Sequence, residues 1–131
     1  MRKIFLIDDD PVLTQLLKHK LEKEGYEFYA VGDGVDVEKK LKAGKPDLLL
    51  LDIDLPYKNG VKVLEDIRND AELKNLPVIV ISNSGNPVDI YRIKQLGVKD
   101  YLIKVDFDLD ELAALLAKYF LQDAKQSHEE K

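Results

Sequence analysis

The chain is 131 residues long and carries a formal charge of −5, no cysteine, 45% hydrophobic and 34% charged residues. That length suits one domain that buries its own core without staples, and the lack of cysteine excludes a disulfide framework, a thiolate metal site and a cysteine nucleophile. The acidic balance, with lysines scattered among acids, argues against direct nucleic-acid binding. No signal-like or bilayer-length apolar stretch occurs, so a cytoplasmic protein without membrane attachment is expected.

Ile4-Phe5-Leu6-Ile7 reads as a buried strand that stops on Asp8-Asp9-Asp10. Asp10-Pro11 has the form of an N-cap followed by a first-turn proline, and Leu13, Leu16, Leu17 and Leu21 recur at helical spacing until Gly25. Residues 26–31 read as a strand, Asp33-Gly34 as a turn, and Val37 with Leu41 as the inner stripe of a short helix ended by Gly44. The run Leu48-Leu49-Leu50-Leu51 is apolar throughout, as in a strand covered on both faces, and Asp52 follows it directly. Beyond the turn at Asn59-Gly60, Val61, Leu64 and Ile67 mark a helix; Pro77 then introduces the strand Val78-Ile79-Val80-Ile81, which runs into a polar loop at Ser82. Ile90, Ile93 and Leu96 define a helix closed by Gly97, and Tyr101-Leu102-Ile103 a short strand ending on Lys104. Asp108 and Glu111 pair as caps for a last helix carrying Leu112, Leu115, Leu116 and Tyr119. Residues 122–131 are polar and aperiodic, so a frayed tail is expected after a single domain over residues 1–121.

Strict alternation of strand and helix predicts an α/β fold, a doubly wound five-stranded parallel sheet with helices on both faces, because each parallel connection needs a crossover. Active groups in such folds gather where the strands end. Four strands here end on a reactive group: Asp8-Asp9, Asp52, Ser82 and Lys104. Singly, each has an ordinary explanation, since Asp10 is mostly a cap, Ser82 can start a turn and Lys104 can be a solvated strand end. Together the carboxylates repel one another on one rim and need a counter-ion. A hard divalent cation such as Mg²⁺ meets that need with oxygen ligands, and the lysine supplies a positive charge for an anion. An anion brought beside a carboxylate invites phosphoryl transfer onto it, a known form of covalent chemistry for Asp.

These residues resemble the receiver domains of two-component response regulators, of which single-domain chemotaxis regulators are familiar members. The resemblance covers about residues 3 to 120. It rests on Ile7-Asp8-Asp9-Asp10-Pro11, on Leu51-Asp52-Ile53-Asp54-Leu55-Pro56 with Asn59-Gly60, on the segment from Pro77 to Ser82, and on Asp100-Tyr101-Leu102-Ile103-Lys104. It implies a (βα)5 flavodoxin-like sheet in the order 2-1-3-4-5. It also implies Asp52 as phosphoacceptor, Asp9 as a direct Mg²⁺ ligand with Asp8 helping, and the Asp54 backbone carbonyl completing the ligands. Ser82 corresponds to the hydroxyl that follows the phosphoryl group, Lys104 to the lysine that pairs with its oxygens, and Tyr101 to the aromatic switch. Three positions depart from the family pattern. Val105 stands where most members have proline, Asn83 where a small residue is usual, and Asp54 adds a carboxylate able to order a water or repel an incoming anion.

The implied function is a receiver that takes a phosphoryl group from a phosphohistidine on a histidine kinase or histidine phosphotransfer protein, catalysing only its own modification. His19 and His128 lack the acidic helical surroundings of a built-in donor. With no second domain expected, output would pass by association with a protein target through the fourth helix, fifth strand and fifth helix, bordered by Ile90, Tyr91, Tyr101 and Lys104. Two other readings compete. Asp52-Ile53-Asp54 also resembles the double-aspartate motif of haloacid-dehalogenase-type phosphatases, although it falls on the third strand and not the first. A phosphorylation-independent adaptor would keep the fold for binding alone, which the complete set of acids, hydroxyl and lysine weighs against.

Overall fold

A computed structural model describes residues 2–55, 59–83, 87–104 and 108–129, with side chains at 87–89 and 123–129 not described. The expectations at Pro56 and Val105, and for the side chain of His128, lie outside the described residues.

The elements alternate as the apolar runs predict: β1 (Lys3–Ile7), α1 (Pro11–Lys23), β2 (Glu27–Val31), α2 (Val37–Gly44), β3 (Leu48–Asp52), α3 (Gly60–Asn69), β4 (Val78–Ser82), α4 (Pro87–Gln95), β5 (Asp100–Ile103) and α5 (Leu109–Glu129). All pairings are parallel, in the order β2-β1-β3-β4-β5. The period of two along each strand sends alternate side chains to opposite faces, and each face has its own core. Phe5, Ile7, Leu49, Leu51, Val78 and Val80 meet Val37 and Leu41 of α2, Val61, Leu64 and Ile67 of α3 and Ile93 of α4. Ile4, Leu6, Leu48, Leu50, Ile79 and Ile81 meet Leu17 and Leu21 of α1 with Leu112, Leu116 and Phe120 of α5. The four leucines of β3 are wholly buried, each contributing about 1.5–3 kcal/mol of apolar transfer free energy. Strand β3 therefore has no freedom to slide, and Asp52 at its end is held in place.

The caps set where helices begin. Asp10 accepts from the N–H groups of Val12 and Leu13 at the start of α1, Asn59 accepts from Val61 at the start of α3, and Asp108 accepts from Glu111 at the start of α5. At the other ends Gly25 and Gly97 adopt φ of 97° and 76°, left-handed values that glycine takes without a Cβ clash. Helix α2 differs from expectation: Gly44 stays inside its last turn and Lys45 takes the left-handed cap with φ 48°, its N–H bonded to the Leu41 carbonyl. A Cβ on Gly44 would lie 3.7 Å from the Phe5 ring, an ordinary van der Waals contact. Helix α5 also runs past the expected boundary near residue 121, reaching Glu129. The reason is propensity: Gln, Ala, Lys and Glu tolerate helix well even where the sequence has no apolar periodicity.

Candidate functional site

The register brings the ends of β1, β3, β4 and β5 to one rim. Ile7 pairs with Leu51, so Asp8 and Asp52 follow side by side, and Ser82 pairs with Ile103, so Lys104 follows beside it. The backbone continues that alignment through Lys104 N–H to the Ser82 carbonyl at 2.8 Å. Asp8, Asp52 and Ser82 are the buried polar residues there, at 1–2% exposure, while Asp9 is exposed. Carboxylates are seldom buried unless paired, and here the partner is Lys104, whose Nζ lies 3.0 Å from Asp8 Oδ2 and 3.3 Å from Asp52 Oδ2.

One ammonium for two buried carboxylates leaves the site short of positive charge. Burial, then the charge of Asp8, pushes the Asp52 carboxyl above its ordinary pKa, against the opposing N–H of Asp54 and the Lys104 charge. For Lys104, burial disfavours the ammonium, but Asp8 and Asp52 together outweigh it and its pKa is raised. The two shifts agree: the lysine gains two anions, whereas Asp52 gains half a cation. Asp8 Oδ1 accepts the Asp10 N–H at 2.8 Å, and Asp8 Oδ2, although ion-paired, has no well-aligned hydrogen-bond donor.

The residues fit a hard divalent cation. One oxygen from each of Asp8, Asp9 and Asp52 lies within 4.8 Å of the others, the donor type that Mg²⁺ or Mn²⁺ takes. A small cleft of about 230 Å³ opens beside Asp8 and Asp9, bounded by Thr14, Gln15 and Gly32. A larger cleft of about 490 Å³ lies at the opposite rim between Arg2, Lys42, Asp47 and Tyr119, away from the acids.

The structure thus assembles Asp8, Asp9, Asp52, Ser82 and Lys104 on one rim, as the strand ends predict. Tyr101 is half-buried one strand away, packed against the core that faces α4. What the sequence reading does not foresee is the role of the Asp54 side chain. Its N–H donates to Asp52 Oδ1 at 2.9 Å, and its own Oδ2 accepts both the Ser82 hydroxyl at 3.2 Å and the Asn83 N–H at 2.9 Å. The two-residue offset from Asp52 is the local signal for the first bond. The other bonds join residues 28 and 29 positions apart and exist only because β3 and β4 are neighbours.

A family profile for the response regulator receiver domain matches residues 4–117. The transcriptional regulatory protein CrdR of Helicobacter pylori is 37% identical over 122 residues, 93% of this chain and 56% of CrdR, so the chain spans about half the length of that relative. The phosphorylated cyanobacterial phytochrome response regulator RcpA is similar in structure with a TM-score of 0.75 and 36% identity, covering 85% of each chain. The Mn²⁺-bound form of the response regulator Rcp1 aligns with a TM-score of 0.76 and 29% identity over 88% of this chain and 89% of its own. Among the described residues, no helix is long and apolar enough to cross a membrane.

Proposed function

Because the chain belongs to the response regulator receiver domain family, we propose that it is a phosphoacceptor whose nucleophile is Asp52. The observation that carries this reading is the buried Asp8–Asp52 pair sharing one lysine on the rim. An Asp52 carboxylate oxygen attacks the phosphorus of a phosphohistidine presented by a histidine kinase or phosphotransfer protein. The P–O bond forms as the P–N bond breaks, and the departing imidazole keeps the bonding pair and takes a proton. Burial removes competing water from the carboxylate, and Lys104 stands close enough to Asp52 to pair with the incoming phosphoryl oxygens. The Ser82 hydroxyl, on the neighbouring strand, turns to those oxygens once they are in place.

Mg²⁺, held by Asp8, Asp9, Asp52 and the Asp54 carbonyl, would supply charge neutralisation during the transfer; a manganese-bound relative supports a divalent ion. The new phosphoryl group adds negative charge and acceptor oxygens, which favour an altered placement of Ser82 and Tyr101 and so of the face formed by α4, β5 and α5. That face carries the exposed Tyr91 beside Ile90, and the output is association with a protein target there. Driving such a switch nearly to completion takes on the order of 5 kcal/mol, within reach of a few charge-assisted hydrogen bonds.

The direct test is incubation of wild type and Asp52→Asn with Mg²⁺ and acetyl phosphate, read by intact-protein mass spectrometry. Wild type should gain one phosphoryl mass and the variant none. Equal gain in both, or none in wild type, rejects the assignment. Steady hydrolysis of unrelated phosphate monoesters would instead favour a haloacid-dehalogenase-like phosphatase, and target binding indifferent to Asp52→Asn an adaptor.

A further inference from the structure

Two donors at the end of β4 already hold an anion. The Ser82 hydroxyl and the Asn83 N–H converge on a single oxygen, Asp54 Oδ2, while the Asp54 N–H is anchored to Asp52 Oδ1. Acceptor and bound anion are thus two residues apart on one turn. A hydroxyl and an amide each have one proton to give, so donors that serve the Asp54 carboxylate are not serving another anion. Ser82 is buried, whereas Asp54 is exposed; its carboxylate can therefore swing into water without a desolvation cost, and leaving costs mainly the two hydrogen bonds.

We propose that the Asp54 side chain is a built-in competitor for the phosphoryl group: in the unmodified chain it occupies the Ser82–Asn83 donor pair, and it must leave before these donors can engage a phosphoryl group on Asp52. The inference rests on the phosphoacceptor role of Asp52 argued above. Asp54 acts here as a positioning residue. It holds Ser82 and the start of the β4–α4 connection in the unmodified arrangement and raises the threshold for switching. The phosphoryl group displaces it because it brings more negative charge and more acceptor oxygens than one carboxylate.

Beryllofluoride, which binds a carboxylate as a stable phosphoryl mimic, tests this when titrated with Mg²⁺ and followed by amide NMR spectra that also report folding. The proteins are wild type, Asp52→Asn, Asp54→Ala, Asp54→Asn, Ser82→Ala and the Asp54→Ala/Ser82→Ala double variant. Asp54→Ala should bind about tenfold more tightly than wild type, the scale of two lost competing hydrogen bonds, with Asp54→Asn between them. Its Asn83 amide should exchange hydrogen faster before beryllofluoride is added. In the Ser82→Ala background the gain should shrink to about threefold or less, which separates competition for donors from simple loss of a negative charge. Unchanged or weaker binding by Asp54→Ala, or a full gain in the Ser82→Ala background, overturns the competitor role while wild-type binding through Asp52 stands. If wild type binds no better than Asp52→Asn, the phosphoacceptor reading fails and the competitor role with it.

Discussion

Asp8, Asp52 and Lys104 form a costly group of charges, because desolvating two carboxylates is only partly offset by one ammonium. The raised pKa of Asp52 turns this into a stability statement. A carboxyl whose folded pKa lies above its unfolded value binds more protons when folded, so stability is greatest below the unfolded value and declines as pH rises through the folded one. Above that range the ionised Asp52 carboxylate opposes folding. In a chelator, Asp52→Asn should therefore raise the unfolding free energy at pH 7 by on the order of 1 kcal/mol, the scale of one strained buried charge. The advantage should fade as pH drops toward the ordinary carboxylate range. Urea denaturation at a series of pH values measures it, and an equally stable or weaker variant at pH 7 contradicts the charge imbalance. In the phosphoacceptor role proposed above, the same imbalance would favour reaction at Asp52 at the expense of folding stability.

At the scale of elements, the site depends on how closely α3 approaches the end of β3. A Cβ placed on Gly60 would lie 2.5 Å from Ile53 Cα and 2.6 Å from the Asp52 carbonyl oxygen, both backbone atoms, and the Gly60 N–H bonds the Ile53 carbonyl at 3.1 Å. Gly60→Ala should cost about 2–3 kcal/mol despite the better helix propensity of alanine, because the backbone must move to relieve the overlap. Thermal or urea unfolding would show it, and a neutral or stabilising result would mean that α3 stands farther from β3. The Asn59-Gly60 pair is visible in the sequence as a turn, but its reason is tertiary, so no local pattern distinguishes this glycine from Gly44, which meets nothing closer than the Phe5 ring. The strands and the acids that end them were legible because apolar runs and caps are local signals. The link from Asp54 to Ser82 and Asn83 was not, since it depends on β3 and β4 lying side by side. The end of α5 was missed for another reason: residues 122–129 carry helix propensity without the apolar periodicity that reveals a packed helix.

For the molecule as a whole, the sheet order decides what a cation can do. Asp8 and Asp9 follow β1 and Asp52 ends β3, adjacent strands whose side chains feed both cores. A divalent ion bridging them would tie the two central strands together at the rim where carboxylate repulsion pushes them apart. It would bind the folded chain and not the unfolded one, because only the fold brings the three oxygens within 4.8 Å. Linkage then sets the size of the effect: about 2.7 kcal/mol at a Mg²⁺ concentration one hundred times its dissociation constant, independent of any phosphodonor. Melting temperature followed by circular dichroism should rise with Mg²⁺, return to its starting value with a chelator, and respond far less in Asp9→Asn, whose exposed carboxylate can be changed without disturbing the core. A rise of the same size in Asp9→Asn would place the ion elsewhere. Absence of any rise in wild type would leave Lys104 as the sole counter-ion of the buried pair.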